Sequence, residues 1–183
     1  KTFEDSRMLE LCTPVIFAYL KILSFIKKRF ESTVILHGID RLDQLVVGKI
    51  NVLNVWQEGV EMNFGVNDEN IGKYAIKSFV AATKALKEGF VDVLVTAPIN
   101  KYNIQSDNFK FPGHTDYLDQ ELEGNALMLM VQDGLRVGLL TDHIPLNEVA
   151  SHLTEELIIK KIDTIKQTII QDFSINKPKI EVV

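Results

Sequence analysis

The sequence predicts an α/β fold with a mainly parallel sheet and flanking helices. Short apolar runs alternate along the chain with stretches of helical periodicity, which is the pattern of successive βα units. The 183 residues are 46% hydrophobic and 25% charged, which is enough for one sizeable core or two small ones. No internal repeat and no low-complexity segment interrupts the alternation. We therefore expect a layered α/β architecture.

Two strands and a long helix are predicted in the first half of the chain. Residues 33–38 and 50–56 are apolar runs of strand length. A helix is predicted from Asp68 to Gly89 because its apolar residues recur at spacings of three and four. Asn67 or Asp68 can cap the start of this helix, and Gly89 suits the left-handed residue at its end.

The second half begins with a predicted central strand over residues 91–96, which is directly followed by Ala-Pro. The remaining predicted elements are, in order, a loop over residues 99–113, a short helix over 114–122, strands over 126–131 and 135–141 joined by a turn at Asp133-Gly134, a helix capped by Thr154, and a strand over 179–183.

The chain is predicted to be an incomplete piece of a larger fold. It begins without an initiator methionine and stops within residues 179–183, a predicted strand without a following loop and helix. We divide it into residues 1–90, a partial first α/β domain, and residues 91–183, a partial second domain that contains the candidate site residues.

Composition argues against two classes of partner. The net charge of −5 shows no excess of the basic residues that nucleic-acid-binding proteins usually have. The most apolar run, residues 15–26, contains Lys21 and is shorter than the ~20 apolar residues that cross a bilayer, so it is predicted to lie in the core. The single cysteine, Cys12, excludes an intrachain disulfide and fits a reducing compartment, so we expect a cytoplasmic protein.

Common catalytic motifs are missing from the sequence. It contains no Gly-x-Gly-x-x-Gly fingerprint, no P-loop and no Gly-x-Ser-x-Gly nucleophile elbow, and its one cysteine gives no Cys–His zinc spacing. Candidate site residues must therefore be sought at the carboxyl ends of the predicted strands and at helix starts, where α/β proteins bind ligands.

Two histidines occupy such positions. His143 follows a predicted strand by two residues, where a neutral imidazole can ligate a divalent metal or simply bond within a turn. His114 opens a predicted helix between Gly113 and Thr115. The free amides there and the Thr115 hydroxyl can hold a phosphate or carboxylate, or else one of the two side chains only caps the helix.

Other polar residues are weaker candidates. Asn100 and Lys101 follow the strand predicted over residues 91–96, and Lys101 either binds an anion or is an ordinary exposed lysine. His37 lies within an apolar run and His152 within a helical stretch, so both are predicted to be structural.

Three segments resemble, in their order and spacing, those of the 4-hydroxythreonine-4-phosphate dehydrogenase family of vitamin B6 biosynthesis. They are Leu-Val-Thr-Ala-Pro-Ile-Asn-Lys at residues 94–101, Phe-Pro-Gly-His-Thr-Asp-Tyr at 111–117 and Leu-Leu-Thr-Asp-His-Ile-Pro-Leu at 139–146. The resemblance implies a fold similar to isocitrate and isopropylmalate dehydrogenases. It also implies NAD-dependent oxidation and decarboxylation of 4-phosphohydroxy-L-threonine, in a homodimer whose site is shared between subunits.

The same resemblance gives the histidines different roles. His114 and Thr115 correspond to substrate-binding residues, and His143 corresponds to the first of three histidines that hold a divalent metal (Zn, Mg or Co). The other metal histidines and much of the NAD site should lie beyond Val183, so no catalytic or NAD-contacting residue is assigned. Asp142 stands where the family commonly has threonine.

We therefore expect the 183 residues alone to be inactive. Two alternatives stay open: a related dehydrogenase for another phosphorylated hydroxy acid, and a non-catalytic module that forms dimers or binds phosphate.

Overall fold

The structure, a computed structural model, describes residues 2–106 and 109–183. The chain divides into two compact units, Lys1–Leu122 and Glu123–Val183. The α/β class is confirmed, because helices alternate with the strands of a parallel sheet in the first unit. The predicted domain boundary between residues 90 and 91 stays a prediction about the organisation of a complete fold.

The first unit contains three strands and four α-helices within its described residues. In chain order these elements are α1 (Met8–Leu11), β1 (Val15–Ala18), α2 (Leu20–Arg29), β2 (Leu36–Ile39), β3 (Ile50–Asn54), α3 (Glu69–Lys87) and α4 (His114–Glu121), with short 3₁₀ turns at Thr2–Glu4 and Leu42–Gln44.

The three strands form a parallel sheet in the order β1-β3-β2, so β3 is central. Both strands predicted over residues 33–38 and 50–56 are present, each shorter than predicted. The apolar run over residues 15–26 forms β1 and most of α2, and Phe17 from β1 is buried against α3. The centre of β3 is inaccessible to solvent, as expected for a strand with a neighbour on either side.

Asn51 is a polar residue at the buried centre of β3, and its amide is fully engaged. Its Oδ1 accepts a hydrogen bond from the Val46 amide at 3.0 Å. Its Nδ2 donates to the carbonyls of Val46 at 3.1 Å and Lys49 at 3.0 Å. A buried amide is tolerated only when it is paired in this way, so Asn51 fixes the turn that leads into β3.

Helix α3 begins and ends as predicted. The Asp68 carboxylate accepts a hydrogen bond from the Asn70 amide at 2.8 Å, and Gly89 adopts a left-handed φ of 74° just past the helix end. The buried face of α3 packs on β1, where Ala82 and Ala85 contact Phe17 and the Ser78 hydroxyl donates to the Phe17 carbonyl.

Gly72, in the first turns of α3, is required by a close approach of the chain. A Cβ at this position would overlap the backbone carbonyl of Asn103, which cannot move aside as a flexible side chain can. The absence of a side chain at Gly72 therefore lets the segment around Asn103 lie directly on α3.

The prediction of strands over residues 91–96 and 179–183 is wrong, because neither segment joins a sheet in the structure. Val93 and Val95 are 74% and 88% exposed, while Leu94 packs inward. The apolar pattern predicted a strand, but a strand exists only where another backbone offers hydrogen-bonding groups along its edge. Within the part of the chain that is described, no strand lies beside either segment.

The second unit contains a hairpin and a long helix. Its elements are β4 (Leu129–Gln132), β5 (Leu135–Gly138), a 3₁₀ turn at Leu146–Glu148, α5 (Val149–His152) and α6 (Glu155–Phe173). Strands β4 and β5 are antiparallel, and the predicted turn is confirmed by Gly134 at a φ of 80°. Thr154 caps α6 as predicted by accepting the Leu157 amide at 3.2 Å.

Two contacts join the hairpin to α6. Gly138 lies so close to Ile165 that a Cβ would require the isoleucine to shift. The Arg136 guanidinium lies 4.3 Å from the centre of the Phe173 ring. No helix among the described residues is long and apolar enough to cross a membrane.

Substitution of Gly72 by alanine tests the close approach at α3. Alanine inside a helix usually stabilises a protein by about 1 kcal/mol relative to glycine. Here we expect a loss of about 1–3 kcal/mol in the free energy of unfolding, because the new Cβ meets backbone. Urea denaturation measures the change. Gly59→Ala is the control, since no atom lies within 4 Å of its Cβ position. A stabilised Gly72→Ala protein would contradict the contact.

Candidate functional site

His114 is the first residue of α4 and packs on α3. Its ring meets the Phe79 ring edge-on, with centroids 4.7 Å apart and planes at 72°. The side chain is half-buried, and this burial lowers the pKa of the imidazole. The neutral form is therefore favoured, in which one ring nitrogen donates a hydrogen bond and the other accepts one.

An aromatic cluster fixes the position of α4. Phe79, Phe109 and Tyr117 are all buried, and the Tyr117 ring lies 5.0 Å from Phe79 and 5.4 Å from Phe109 between centroids. Phe111 completes the cluster at 5.2 Å from Tyr117. Burial, and then the charge of Glu121, raises the pKa of Tyr117. Because the Phe79 ring that His114 contacts belongs to this cluster, His114 is supported by buried aromatic packing.

The start of α4 has no side-chain cap. The capping position is Gly113, in extended conformation, and it has no side chain to accept the first amides of the helix. The side chains of His114 and Thr115 form no hydrogen bond with another described residue. Thr115 is exposed. Neither side chain therefore caps the helix. The first amides of α4 and the Thr115 hydroxyl are available to bind an anion.

The turn after Asn100 lies beside this helix start. The Asn100 Oδ1 accepts hydrogen bonds from the amides of Tyr102 at 2.9 Å and Asn103 at 3.2 Å. The Lys101 Cε lies 3.8 Å from the position that a Cβ on Gly113 would occupy. The structure thus brings residues 94–101 and 111–117 together, which are two of the three segments identified from the sequence.

His143 lies in the second unit. It is exposed, and its φ of 53° is left-handed, a conformation that costs roughly 1–2 kcal/mol for a residue with a side chain. Glu31 and Ser174 share a positive φ, but both terminate helices, where this conformation is common. His143 ends no helix, so its backbone is set by something other than helix termination.

The described residues do not form a complete metal site. Over residues 2–106 and 109–183, no group of three His, Cys, Asp or Glu side chains is placed to hold an ion. His143 offers one donor, whereas catalytic zinc sites usually have three protein ligands. The assignment of His143 to a metal stays a prediction.

Sequence reasoning missed one concave surface of the first unit. A groove of about 450 Å³ lies at the carboxyl ends of β1 and β3, lined by Tyr19 and Phe25 on one side and by Gln57 and Met62 on the other. The position of residues 57–62, directly after a predicted strand, was the available signal. No predicted site residue lines this groove.

Comparison with known proteins connects the chain to one family. A family model described as pyridoxal phosphate biosynthetic protein PdxA matches residues 10–183. A protein of Bacteroides thetaiotaomicron named 4-hydroxythreonine-4-phosphate dehydrogenase is 38% identical over 185 aligned positions, covering 100% of this chain and 51% of the relative. A Sulfurihydrogenibium protein of the same name is 35% identical over 92% of this chain and 52% of its own length.

Solved structures support the fold. The crystal structure of a 4-hydroxythreonine-4-phosphate dehydrogenase from Burkholderia phymatum superimposes with a TM-score of 0.79 at 22% identity, over 92% of this chain and 52% of that one. The predicted α/β fold is thereby confirmed. The chain spans about half the length of the curated relatives it matches.

The burial of His114 predicts a dependence of stability on pH. Its pKa is lower in the folded protein than the ordinary 6.5, so the folded state binds fewer protons than the unfolded state around that pH. We expect stability that is complete above pH 6.5 and falls as the pH drops through 6.5 toward the lowered pKa. Urea denaturation from about pH 8 to pH 5 measures this.

Two variants isolate the contribution of His114. His114→Gln and His114→Phe both remove the titrating group, and phenylalanine keeps an aromatic ring beside Phe79. Both variants should lose less stability than the wild type between these pH limits. An identical pH dependence in all three proteins would show that His114 is not the source.

Proposed function

The chain belongs to the family of the pyridoxal phosphate biosynthetic protein PdxA, and on that premise we propose that the whole protein is a 4-hydroxythreonine-4-phosphate dehydrogenase. The support is a family match over residues 10–183 and curated relatives of that name. In the proposed reaction the secondary alcohol of 4-phosphohydroxy-L-threonine loses a hydride to NAD and a proton to solvent or a base. The resulting β-keto acid then releases carbon dioxide.

The observation that carries the proposal for this chain is the uncapped start of α4. A substrate with a phosphate and a carboxylate needs hydrogen-bond donors that have no other partner. The amides at the start of α4, the Thr115 hydroxyl and the half-buried neutral ring of His114 are such groups. We therefore propose His114 and Thr115 as substrate-binding residues.

His143 is proposed as one ligand of a divalent metal, with the other ligands outside the described residues. The basis is its exposed imidazole, in the segment between β5 and α5, and a left-handed backbone that no helix end explains. Because one donor does not make a metal site, we derive no chemical step from a metal here.

The remaining proposals concern the whole protein. We propose that NAD is the hydride acceptor, since the curated relatives are named dehydrogenases. We propose a homodimer with a shared site and a cytoplasmic location, which the single cysteine fits. We propose no nucleic-acid partner, since the net charge of −5 provides no excess of basic residues to bind phosphates along a strand.

A second candidate is a related dehydrogenase that acts on another phosphorylated hydroxy acid. It is favoured by Asp142, which places a carboxylate beside His143 where the family commonly has threonine. An extra negative charge at this point would change the polarity beside the proposed metal ligand.

Turnover of 4-phosphohydroxy-L-threonine tests the main proposal. The full natural chain that contains these residues should reduce NAD with this substrate when a divalent metal is supplied. Thr115→Val should raise KM for the substrate about tenfold because one hydrogen bond to an anion is lost. Thr164→Val is the control, since that hydroxyl bonds the Lys160 carbonyl within α6. Absence of activity with Zn, Mg and Co alike would exclude the activity, and activity confined to another phosphorylated hydroxy acid would favour the second candidate.

Metal binding tests the role of His143. His143→Ala in the full natural chain should lower the affinity for the divalent metal by at least about a hundredfold, since even the loss of an outer hydrogen-bond partner costs 10–100-fold. Equilibrium dialysis with elemental analysis measures it. His152→Ala is the matched control, a histidine of the same unit whose Nδ1 bonds the Glu148 carbonyl. Equal metal content in wild type and His143→Ala would remove His143 from the metal site.

A further inference from the structure

The turn that follows Asn100 contains Lys101, a cationic residue beside the proposed substrate site. The neutral side chain of Asn100 helps to hold this turn in position. We propose that Asn100 is a positioning residue that holds Lys101 next to the start of α4, where the Lys101 ammonium binds the anionic group of the substrate together with His114 and Thr115. This inference rests on the proposed function and names a further residue of the same site.

Asn100 uses both ends of its amide. Its Oδ1 accepts the amides of Tyr102 and Asn103 at 2.9 and 3.2 Å, which bends the chain back over Lys101. Its Nδ2 donates to the Asn67 Oδ1 at 2.9 Å. Asn67 directly precedes the residue that caps α3. The same side chain therefore forms the turn and ties it to the beginning of the long helix.

The far end of the turn is fixed independently. The Asn103 carbonyl lies on Gly72, and the next residue, Ile104, is 2% exposed within the aromatic cluster of Phe79 and Tyr117. Because the turn is anchored at both ends, the backbone of Lys101 is held in place beside α4.

The Lys101 side chain lies beside Gly113, and its ammonium forms no ion pair with another described residue. Its Cε lies 3.8 Å from the Cβ position of Gly113, one residue before His114. The side chain is exposed, and none of the ion pairs among the described residues includes it. Asp116, in the first turn of α4, is the acidic residue nearest in sequence to this helix start. An ammonium at this point adds a charged donor to the neutral donors of His114 and Thr115.

The competing explanation is that Asn100 only stabilises the fold and that Lys101 is an ordinary surface lysine. The two explanations differ in how the two residues depend on each other. If Asn100 acts through Lys101, removing the lysine makes the asparagine irrelevant to substrate binding. If Asn100 is only structural, the effects of the two substitutions add.

A double-mutant cycle in the full natural chain separates these cases. Asn100→Ala, Lys101→Met and the double variant are compared with the wild type for kcat, for KM toward 4-phosphohydroxy-L-threonine and toward NAD, and for binding of inorganic phosphate by calorimetry. Asn100→Ser is the conservative variant, because a serine hydroxyl can accept the same two amides without adding charge. Lys160→Met, an exposed lysine of α6, is the control for loss of a positive charge.

The expected result is a rise of about tenfold in KM for the substrate in both single variants, with kcat and the KM for NAD within about twofold of the wild type. The double variant should match Lys101→Met, and Asn100→Ser should recover most of the loss. Phosphate affinity should fall in parallel. Additive effects, an unchanged KM or an equal effect of Lys160→Met would overturn the inference.

The phosphate measurement separates failure of this inference from failure of the proposed function. If the wild type does not turn over the substrate but binds phosphate in a manner that needs Lys101 and Asn100, the proposed activity is wrong and the positioning role stands. If it turns over the substrate and the variants behave as the wild type does, only the positioning role is wrong. If neither turnover nor Lys101-dependent phosphate binding is found, both are wrong.

Discussion

The contact between Gly72 and the Asn103 carbonyl is the constraint on which the candidate site depends. Glycine weakens a helix interior, yet here it lies in the first turns of a helix of 19 residues. The missing Cβ allows a loop backbone to touch the helix backbone. Ile104 can then enter the aromatic cluster that supports His114. The missing side chain of Gly72 therefore determines how the loop packs on the helix. The loop in turn determines how the His114 imidazole is held.

Local signals in the sequence were sufficient for much of the fold. The caps at Asp68 and Thr154, the left-handed Gly89 and the turn at Gly134 depend on a few neighbouring residues, and each is confirmed. The strand predicted over residues 91–96 failed because pairing depends on a partner that the strand's own residues do not specify. For the same reason, no spacing rule shows that Gly72 accommodates a carbonyl 31 residues further along the chain.

The candidate site was predictable in its location but not in its chemistry. The rule that ligands bind at strand ends and helix starts directed attention to His114, Thr115 and Lys101, and the structure places these segments side by side. That rule could not decide whether Thr115 caps the helix or binds a ligand. The pKa of His114 follows from burial against Phe79, which comes from a helix 35 residues earlier and is invisible to motif reading.

The buried amide of Asn51 has a consequence for how the sheet assembles. Ile50, Val52 and Leu53 are all apolar and point to both faces of the sheet, so the apolar pattern alone says less about the alignment of β3 with β1 and β2 than it would in a strand with one polar face. The Asn51 bonds to Val46 and Lys49 lie within one segment and would move with β3, but the Asn51 Nδ2 also donates to the Pro14 carbonyl at 3.4 Å, directly before β1. A slip of β3 against β1 by one residue would break that hydrogen bond, at a cost of about 1 kcal/mol. Asn51 thereby ties the start of β3 to the start of β1 and favours one strand alignment, a form of specificity that an apolar residue in its place would not provide.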